Sequence, residues 1–516
     1  MNIERRVSRV VLPVVSLALL PVGLGLARAA EPGQEEPDIR LFFQAASTDQ
    51  GEAEAALDRI GERWRDPYAA MLIELIRLMP GGGPTVADGA RPESGAGEII
   101  DPETGLGQRS DPLQGPSRFA RNRDPRVRAR RRLVSFLEDH TGQDFGDDLD
   151  AWRRWLWSLE YEPHSRYGFF KGQLYGAIDE RFRNFFPPDV PHRVRLDEID
   201  WGGVRVNGIP PLDHPEFVAA GEAGWLAEDH VVFGVVVDDE ARAYPKRILA
   251  WHEMLLDRVG GVELTVVYCT LCGTVIPYKS EVAGRRVTFG TSGLLYRSNK
   301  LMFDDITWSL WSSLTGEPVV GRASTVVEEG MKLDALPVVT TEWGAWRRQH
   351  PDTTVLSRET GFERDYSEGA AYRDYFESDE IMFEVSRKDD RLDLKQEVLA
   401  LRLLPGDAIG PPVALAIDVA LLRREPVFHT ELAGRRLVVV TGPGGANRVY
   451  EAGDREFAAG DEAGWIVDQE GDRWRVGEAE LARGADPGAR LARVPAFRAF
   501  WFGWYAQYPE TRLIHR

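Results

Sequence analysis

This chain repeats itself in register. Leu333, Leu336, Pro337, Trp343, Trp346, Gln349, Pro351 and Thr353 recur 158 residues later as Leu491, Val494, Pro495, Trp501, Trp504, Gln507, Pro509 and Thr511. Upstream, Val266-Val-Tyr-Cys-Thr-Leu-Cys-Gly-Thr-Val-Ile-Pro-Tyr278 lies over Val438-Val-Val-Thr-Gly-Pro-Gly-Gly-Ala-Asn-Arg-Val-Tyr450 at an offset of 172, and Asp305, Trp311 and Glu317 find counterparts in Asp468, Trp474 and Glu478. A self-similar chain must build one unit twice. The spacing predicts a tandem duplication, with copy one at 229–357 and copy two at 397–514. Short β-rich runs alternate in each copy with a helix whose two tryptophans stand one turn apart, which places the fold in the α+β class.

A duplication is its own control. What both copies keep is scaffold, and what one copy alone has is a candidate for function. Copy one alone has Cys269 and Cys272, the only two cysteines in 516 residues. A β-branched run leads into the pair and Gly273-Thr-Val-Ile-Pro277 leads out, so the Cys-x-x-Cys reads as a turn between two strands rather than the start of a redox helix. Copy two keeps that turn as Gly442-Pro-Gly-Gly445 without sulfur. Three states of the pair stay open: a disulfide, a metal knuckle and a free dithiol. His252 also belongs to copy one, with Arg424 at the same offset in copy two. A neutral imidazole and two thiolates are three of the four ligands of tetrahedral zinc, or part of a soft copper(I) site if the Met302 thioether joins. His350 sits beside the Trp343/Trp346 face and reads as packing.

The third feature of copy one is the stretch from Phe289 to Asp305. It gathers Ser292, Tyr296, Arg297, Asn299, Lys300 and Asp304 beside two glycines. Donors of several kinds so close together suit an anionic or carbonyl-bearing ligand, and they also suit an ordinary polar loop. If the three features serve one purpose, they should converge in space. No Walker, Rossmann, GxSxG or HExxH pattern occurs, so the common nucleotide and nucleophile sites find no support.

The first thirty residues read as a signal peptide: Arg5, Arg6 and Arg9, an apolar run from Val10 to Leu26, then Ala27-Arg28-Ala29. The expectation is an exported protein, periplasmic or extracellular, with no transmembrane segment after cleavage. A net charge of −19 leaves no basic field for a polyanion and argues against nucleic acid. Residues 31–165 show helical periodicity, interrupted at 80–116 by a Gly/Pro-rich stretch expected as a disordered loop. Trp152, Trp155 and Leu159 share one face there as core. This helical domain reads as scaffold or as the docking surface for an unknown small ligand or protein partner, and 166–228 reads as a linker.

Four motifs then arrive in order: Glu240-Ala-Arg-Ala-Tyr-Pro-Lys-Arg-Ile-Leu-Ala-Trp-His-Glu253, Tyr268-Cys-Thr-Leu-Cys-Gly-Thr274, Phe289-Gly-Thr-Ser-Gly-Leu-Leu-Tyr-Arg-Ser298 and Ser309-Leu-Trp-Ser-Ser-Leu-Thr-Gly-Glu317. Together they resemble the bacterial family catalogued as domain of unknown function 3179, over about residues 190–516. One departure stands out, since the asparagine-aspartate pair expected after the histidine motif is Leu256-Asp257 here. The resemblance implies no activity. The leading reading is therefore a metal-binding or redox-sensitive Cys-x-x-Cys/His site in copy one, with copy two a degenerate structural partner. One rival is an enzyme acting on an anionic or carbohydrate-like substrate, with His252 as general base and the cysteines as a structural disulfide. The other is a binding module without chemistry.

Overall fold

The computed structural model describes residues 36–79, 124–329, 331–405, 411–484, 486 and 488–516. The expected signal peptide and the 80–116 loop lie outside the described residues. The described chain has helices and many strands in several sheets, an α+β fold. Among the described residues no helix is long and apolar enough to cross a membrane.

Aspartates start the N-terminal helices. Asp38, Asp49, Asp124 and Asp148 each accept a backbone N–H in the first turn of Ile39–Ala45, Gln50–Gly61, Pro125–Thr141 and Leu149–Ser158, which satisfies a donor the helix leaves free. These helices do not close a core by themselves. Phe42, Leu72, Leu133, Trp152 and Phe170 share one with Leu294, Leu301, Phe303 and Leu310 of a five-stranded sheet. Trp152 is buried and Trp155 packs half-buried against the same core. Buried charges fix this union, because Lys171 pairs with Glu74, while Arg77 and Arg153 both pair with Asp200 on strand Ile199–Trp201. Each would cost several kcal/mol left alone. The stretch 166–228, read as a linker, holds helices Tyr167–Tyr175 and Phe182–Phe185 and strands that pair into three sheets. Its elements are too short to show a period.

The two C-terminal regions build the same sheet. In the first the strand order is Val339–Glu342, Val231–Val237, Glu240–Pro245, Thr354–Leu356, with a fifth strand, Phe217–Ala219, at the edge. In the second it is Phe497–Phe500, Glu397–Leu403, Val413–Asp418, Arg512–Ile514. The pairings run antiparallel, antiparallel and parallel in both. A short helix follows the third strand of each, Lys246–His252 or Val419–Arg424, and a three-stranded meander comes next. The tryptophan helices are Trp343–Gln349 and Trp501–Gln507. Trp346 Nε1 donates to Thr353 Oγ1 at 3.0 Å and Trp504 Nε1 to Thr511 Oγ1 at 2.9 Å. After the meander the regions part: the first leaves it for the sheet shared with the helices, while the second extends its own meander into an eight-stranded sheet.

Pairing registers correct two sequence matches. Thr265 pairs with Tyr278 and Val438 with Tyr450, so the strand after the turn keeps the offset of 172 but the strand before it lies at 173. The glycine turn is one residue shorter than the cysteine turn. His252 therefore faces Glu425 rather than Arg424. The counterpart of Asp468 is Asp304, not Asp305, since Trp311 Nε1 donates to Asp304 and Trp474 Nε1 to Asp468, both at 2.9 Å.

Candidate functional site

Strands Val262–Cys269 and Thr274–Lys279 are joined by the turn Thr270-Leu-Cys-Gly273, closed by Gly273 at φ +64°, where a side chain would also meet the Phe500 ring. The turn puts both sulfurs indoors, Cys269 at 2% and Cys272 at 0% exposure. They lie near each other as free thiols, with no disulfide between them. The hairpin Phe289–Tyr296/Asn299–Asp304 aims its tip at them. Arg297 and Ser298 both have positive φ, the signature of a tight two-residue turn, and the Ser298 carbonyl accepts from Cys272 Sγ at 3.0 Å.

The two thiols are unlike. Burial alone would raise both. For Cys269 that is outweighed by hydrogen bonds from the Cys272 side chain and from the backbone N–H groups of Lys300 and Cys272, which leave its pKa below the ordinary thiol value. Burial, and then the Cys269 sulfur that its proton serves, push Cys272 well up. The single Cys272 S–H serves the Cys269 sulfur only in place of the Ser298 carbonyl, and of the two thiols Cys269 is the one shifted toward the thiolate.

Beneath the pair lies a buried ion pair, Glu253 with Lys300. Glu253 caps helix Lys246–His252 in the left-handed conformation at φ +55°, unusual for a residue with a side chain, and this turns its carboxylate inward. Its Oε1 accepts from Thr270 Oγ1 at 2.8 Å and from Tyr372 OH at 3.0 Å. Above the pair runs the segment joining the two regions. Tyr375 OH donates to Leu271 O at 2.7 Å, Ser298 Oγ donates to Phe383 O at 3.3 Å, and Tyr375 and Phe383 complete the apolar cluster around the sulfurs.

His252 does not join the sulfurs. A carbonyl only accepts, so its contact with Pro210 O at 2.9 Å makes Nδ1 the donor, and Nε2 accepts from Tyr366 OH at 2.6 Å. Burial holds its pKa below the ordinary value, which keeps the ring neutral. Among the described residues the only three His, Cys, Asp or Glu ligand atoms mutually within 4.8 Å are those of Asp468, Glu470 and Asp472. The expected His252/Cys269/Cys272 triad is thus not assembled. Met302 is in a different core, with Trp311 and Met254.

Of the polar stretch, Ser292 Oγ donates to Leu301 O at 2.6 Å and holds a bulge; Arg297 pairs with Glu198, and Asn299 Nδ2 donates to Gly503 O at 3.0 Å. The Tyr296 ring belongs to the core shared with the helices. Asp304 accepts from Thr307 Oγ1, Ser309 N and Trp311 Nε1, as Asp468 does from Glu470 N, Asp472 N and Trp474 Nε1. It is scaffold common to both regions. Lys300, Ser298 and, through the Gly503 carbonyl, Asn299 reach the thiols' surroundings. Sequence reasoning missed Glu253 and the tyrosines at 366, 372 and 375. The available signal was that 358–396 belongs to neither copy and carries all three tyrosines.

A family model described as a protein of unknown function (DUF3179) matches residues 206–511. No curated protein and no solved structure matches the chain.

Proposed function

The chain belongs to the family described as protein of unknown function (DUF3179), and from that premise we propose that copy one of a tandem duplication carries a redox-active dithiol, Cys269 and Cys272, with copy two its structural partner. The observation that carries the reading is a pair of buried, neighbouring free thiols on a turn that copy two makes without sulfur, and of the two Cys269 is the one shifted toward the thiolate. In the step this arrangement favours, the Cys269 thiolate attacks a disulfide of the oxidant and expels one thiolate. Cys272 then gives up its proton and closes on Cys269, releasing the second. Two electrons and two protons leave the pair and reduce one acceptor disulfide to two thiols. The shared sheet order and the paired Trp–Thr bonds support duplication. The leader-like N-terminus supports action in an exported setting, where an oxidant is at hand.

A zinc reading finds less support, because tetrahedral zinc takes four ligands and among the described residues no third His, Cys, Asp or Glu ligand atom joins the two sulfurs in a group within 4.8 Å. The test is equilibration of the purified protein in glutathione buffers of graded ratio, read by mass spectrometry after alkylation. A reversible loss of two hydrogens on the Cys269–Cys272 peptide is expected. Thiols that stay reduced at every ratio, or a chain that retains an equivalent of zinc or copper lost in Cys269→Ser, would overturn the reading.

A further inference from the structure

The motif Lys246-Arg-Ile-Leu-Ala-Trp-His-Glu253 has so far supplied only Glu253 to the site. Its other polar side chains each touch the segment between the two regions, although Arg247 also reaches Trp225 O and His230 Nδ1 and His252 also reaches Pro210 O. Lys246 Nζ lies 4.3 Å from the centre of the Phe376 ring. Arg247 Nε donates to Tyr366 O. Trp251 Nε1 donates to Asp365 O at 2.8 Å. His252 Nε2 takes the Tyr366 hydroxyl, which in turn receives Thr360 Oγ1 at 2.6 Å. Glu253 takes the Tyr372 hydroxyl. One short helix with its cap thus holds a passing segment at five points.

That segment is what seals the thiols. Tyr372, Tyr375, Phe376, Met382 and Phe383 supply the apolar wall on one side of Cys269 and Cys272, so no acceptor disulfide reaches either sulfur while they stay. Its own regular structure is slight, one helix of five residues, Arg373–Glu377, whose end is held by Lys395 through the carbonyls of Tyr375 and Ser378. The corresponding helix of the second region, Val419–Arg424, carries Val-Ala-Leu-Leu-Arg-Arg, and the glycine turn beside it is not covered in this way. Latch, cover and thiols occur together in one region and are missing together from the other.

We propose that residues 360–383 are a strap that must lift before the dithiol reacts, and that Lys246–Glu253 is the latch that sets how often it lifts. This rests on the redox reading above and adds control of access to it. Hydrogen bonds of this kind are individually weak, so a few of them can hold a segment shut and still let it open in the native state.

The test compares the wild type with Tyr366→Phe, which keeps the ring, and with Tyr366→Phe combined with Trp251→Phe; the pair removes two latch–strap hydrogen bonds and leaves the side chains around the sulfurs in place. The rate of thiol reaction with a small aromatic disulfide is expected to rise on the order of tenfold or more with the loss of two such bonds, while the glutathione equilibrium constant stays put. Equal rates in folded variants would overturn the strap. Hydrogen exchange on the unmodified protein guards against a variant that fails to fold. Amides of 366–383 are expected to exchange far faster than those of 264–269, and thiol labelling faster than strap opening would also sink the proposal. Failure of the redox reading looks different: labelling still accelerates in the variants, but no disulfide forms at any glutathione ratio.

Discussion

Residues 229–357 and 397–514 make one sheet twice and then exchange contacts across their boundary. Phe500 N, at the start of one tryptophan helix, donates to Cys272 O at 2.7 Å, and Gly503 on that helix is so close to Cys272 that a Cβ there would stand 3.1 Å from the sulfur. Reciprocally, the glycine turn leans on the other tryptophan helix: a Cβ on Gly444 would stand 2.7 Å from Ala345 Cβ and 3.0 Å from Glu342 N. Cys272 answers to Gly444 at 172, and Gly503 to Ala345 at 158. Where the turn has a side chain the helix has none, and where the turn has none the helix has a methyl. The difference between the regions is thus a sulfur-sized trade at one contact. A scaffold that closes equally well without sulfur leaves the thiols free for chemistry.

The largest test of this equivalence is the tryptophans. Trp346→Ala and Trp504→Ala each remove a fully buried ring with a paired N–H, and each is expected to cost about 3–5 kcal/mol in urea unfolding. A cost below about 1 kcal/mol for one of them would show that the two helices play different parts. Next comes the turn contact. Gly444→Val adds a branched side chain at φ +67° against backbone and side chain on the other helix, with an expected loss of about 2–3 kcal/mol. The mirror experiment is a cycle: Gly503→Ala should destabilise the wild type but become neutral or stabilising, by up to about 1 kcal/mol, once Cys272→Gly removes the obstruction. Additive effects would break the trade described above.

A smaller effect sharpens what sulfur adds. Cys272→Ala removes the side-chain donor that helps to lower Cys269, so ultraviolet thiolate titration should place Cys269 higher in the variant than in the wild type. No change, or a fall, would mean that the backbone donors alone hold the thiolate.

How much of this was legible follows from period and distance. The two tryptophan helices were readable because Trp343/Trp346 and Trp501/Trp504 each stand one helical turn apart on a buried face. The strand–turn–strand setting of Cys269 was readable from its β-branched lead. The one-residue slip between offsets was not, since a turn can lose a residue without disturbing the strands on either side. Nor were the partners of His252. Tyr366 lies 114 residues away, and no local pattern ties a loop tyrosine to a helix histidine. The cluster Ser292 to Asp304 misled because a hairpin with a bulge and a capped turn needs the same polar letters as a ligand site.

The finest comparison sets His252 against Glu425, its counterpart at the end of the second short helix. Burial holds the imidazole pKa below the ordinary value of about 6.5, the Pro210 carbonyl opposes this, and Arg364 of the strap adds to it. The unfolded chain therefore takes up a proton as pH falls through about 6.5, while the native ring stays neutral to a lower pH. Native stability from this group is intact above that range and declines below it until the folded pKa is passed. His192 and His429 are lowered by burial too, so the slope belongs to His252 only in a difference curve. Glutamine at 252 can donate to Pro210 O and accept from Tyr366 without titrating. His252→Gln should accordingly lose less stability than the wild type between about pH 7 and pH 5, with the divergence starting near the free imidazole value. In the wild type, strap amides should lose protection relative to their intrinsic exchange rates over the same interval, because lifting the strap frees His252 to take up a proton. Parallel curves for the two proteins would leave His252 a buried spacer, with the strap held by its other four contacts.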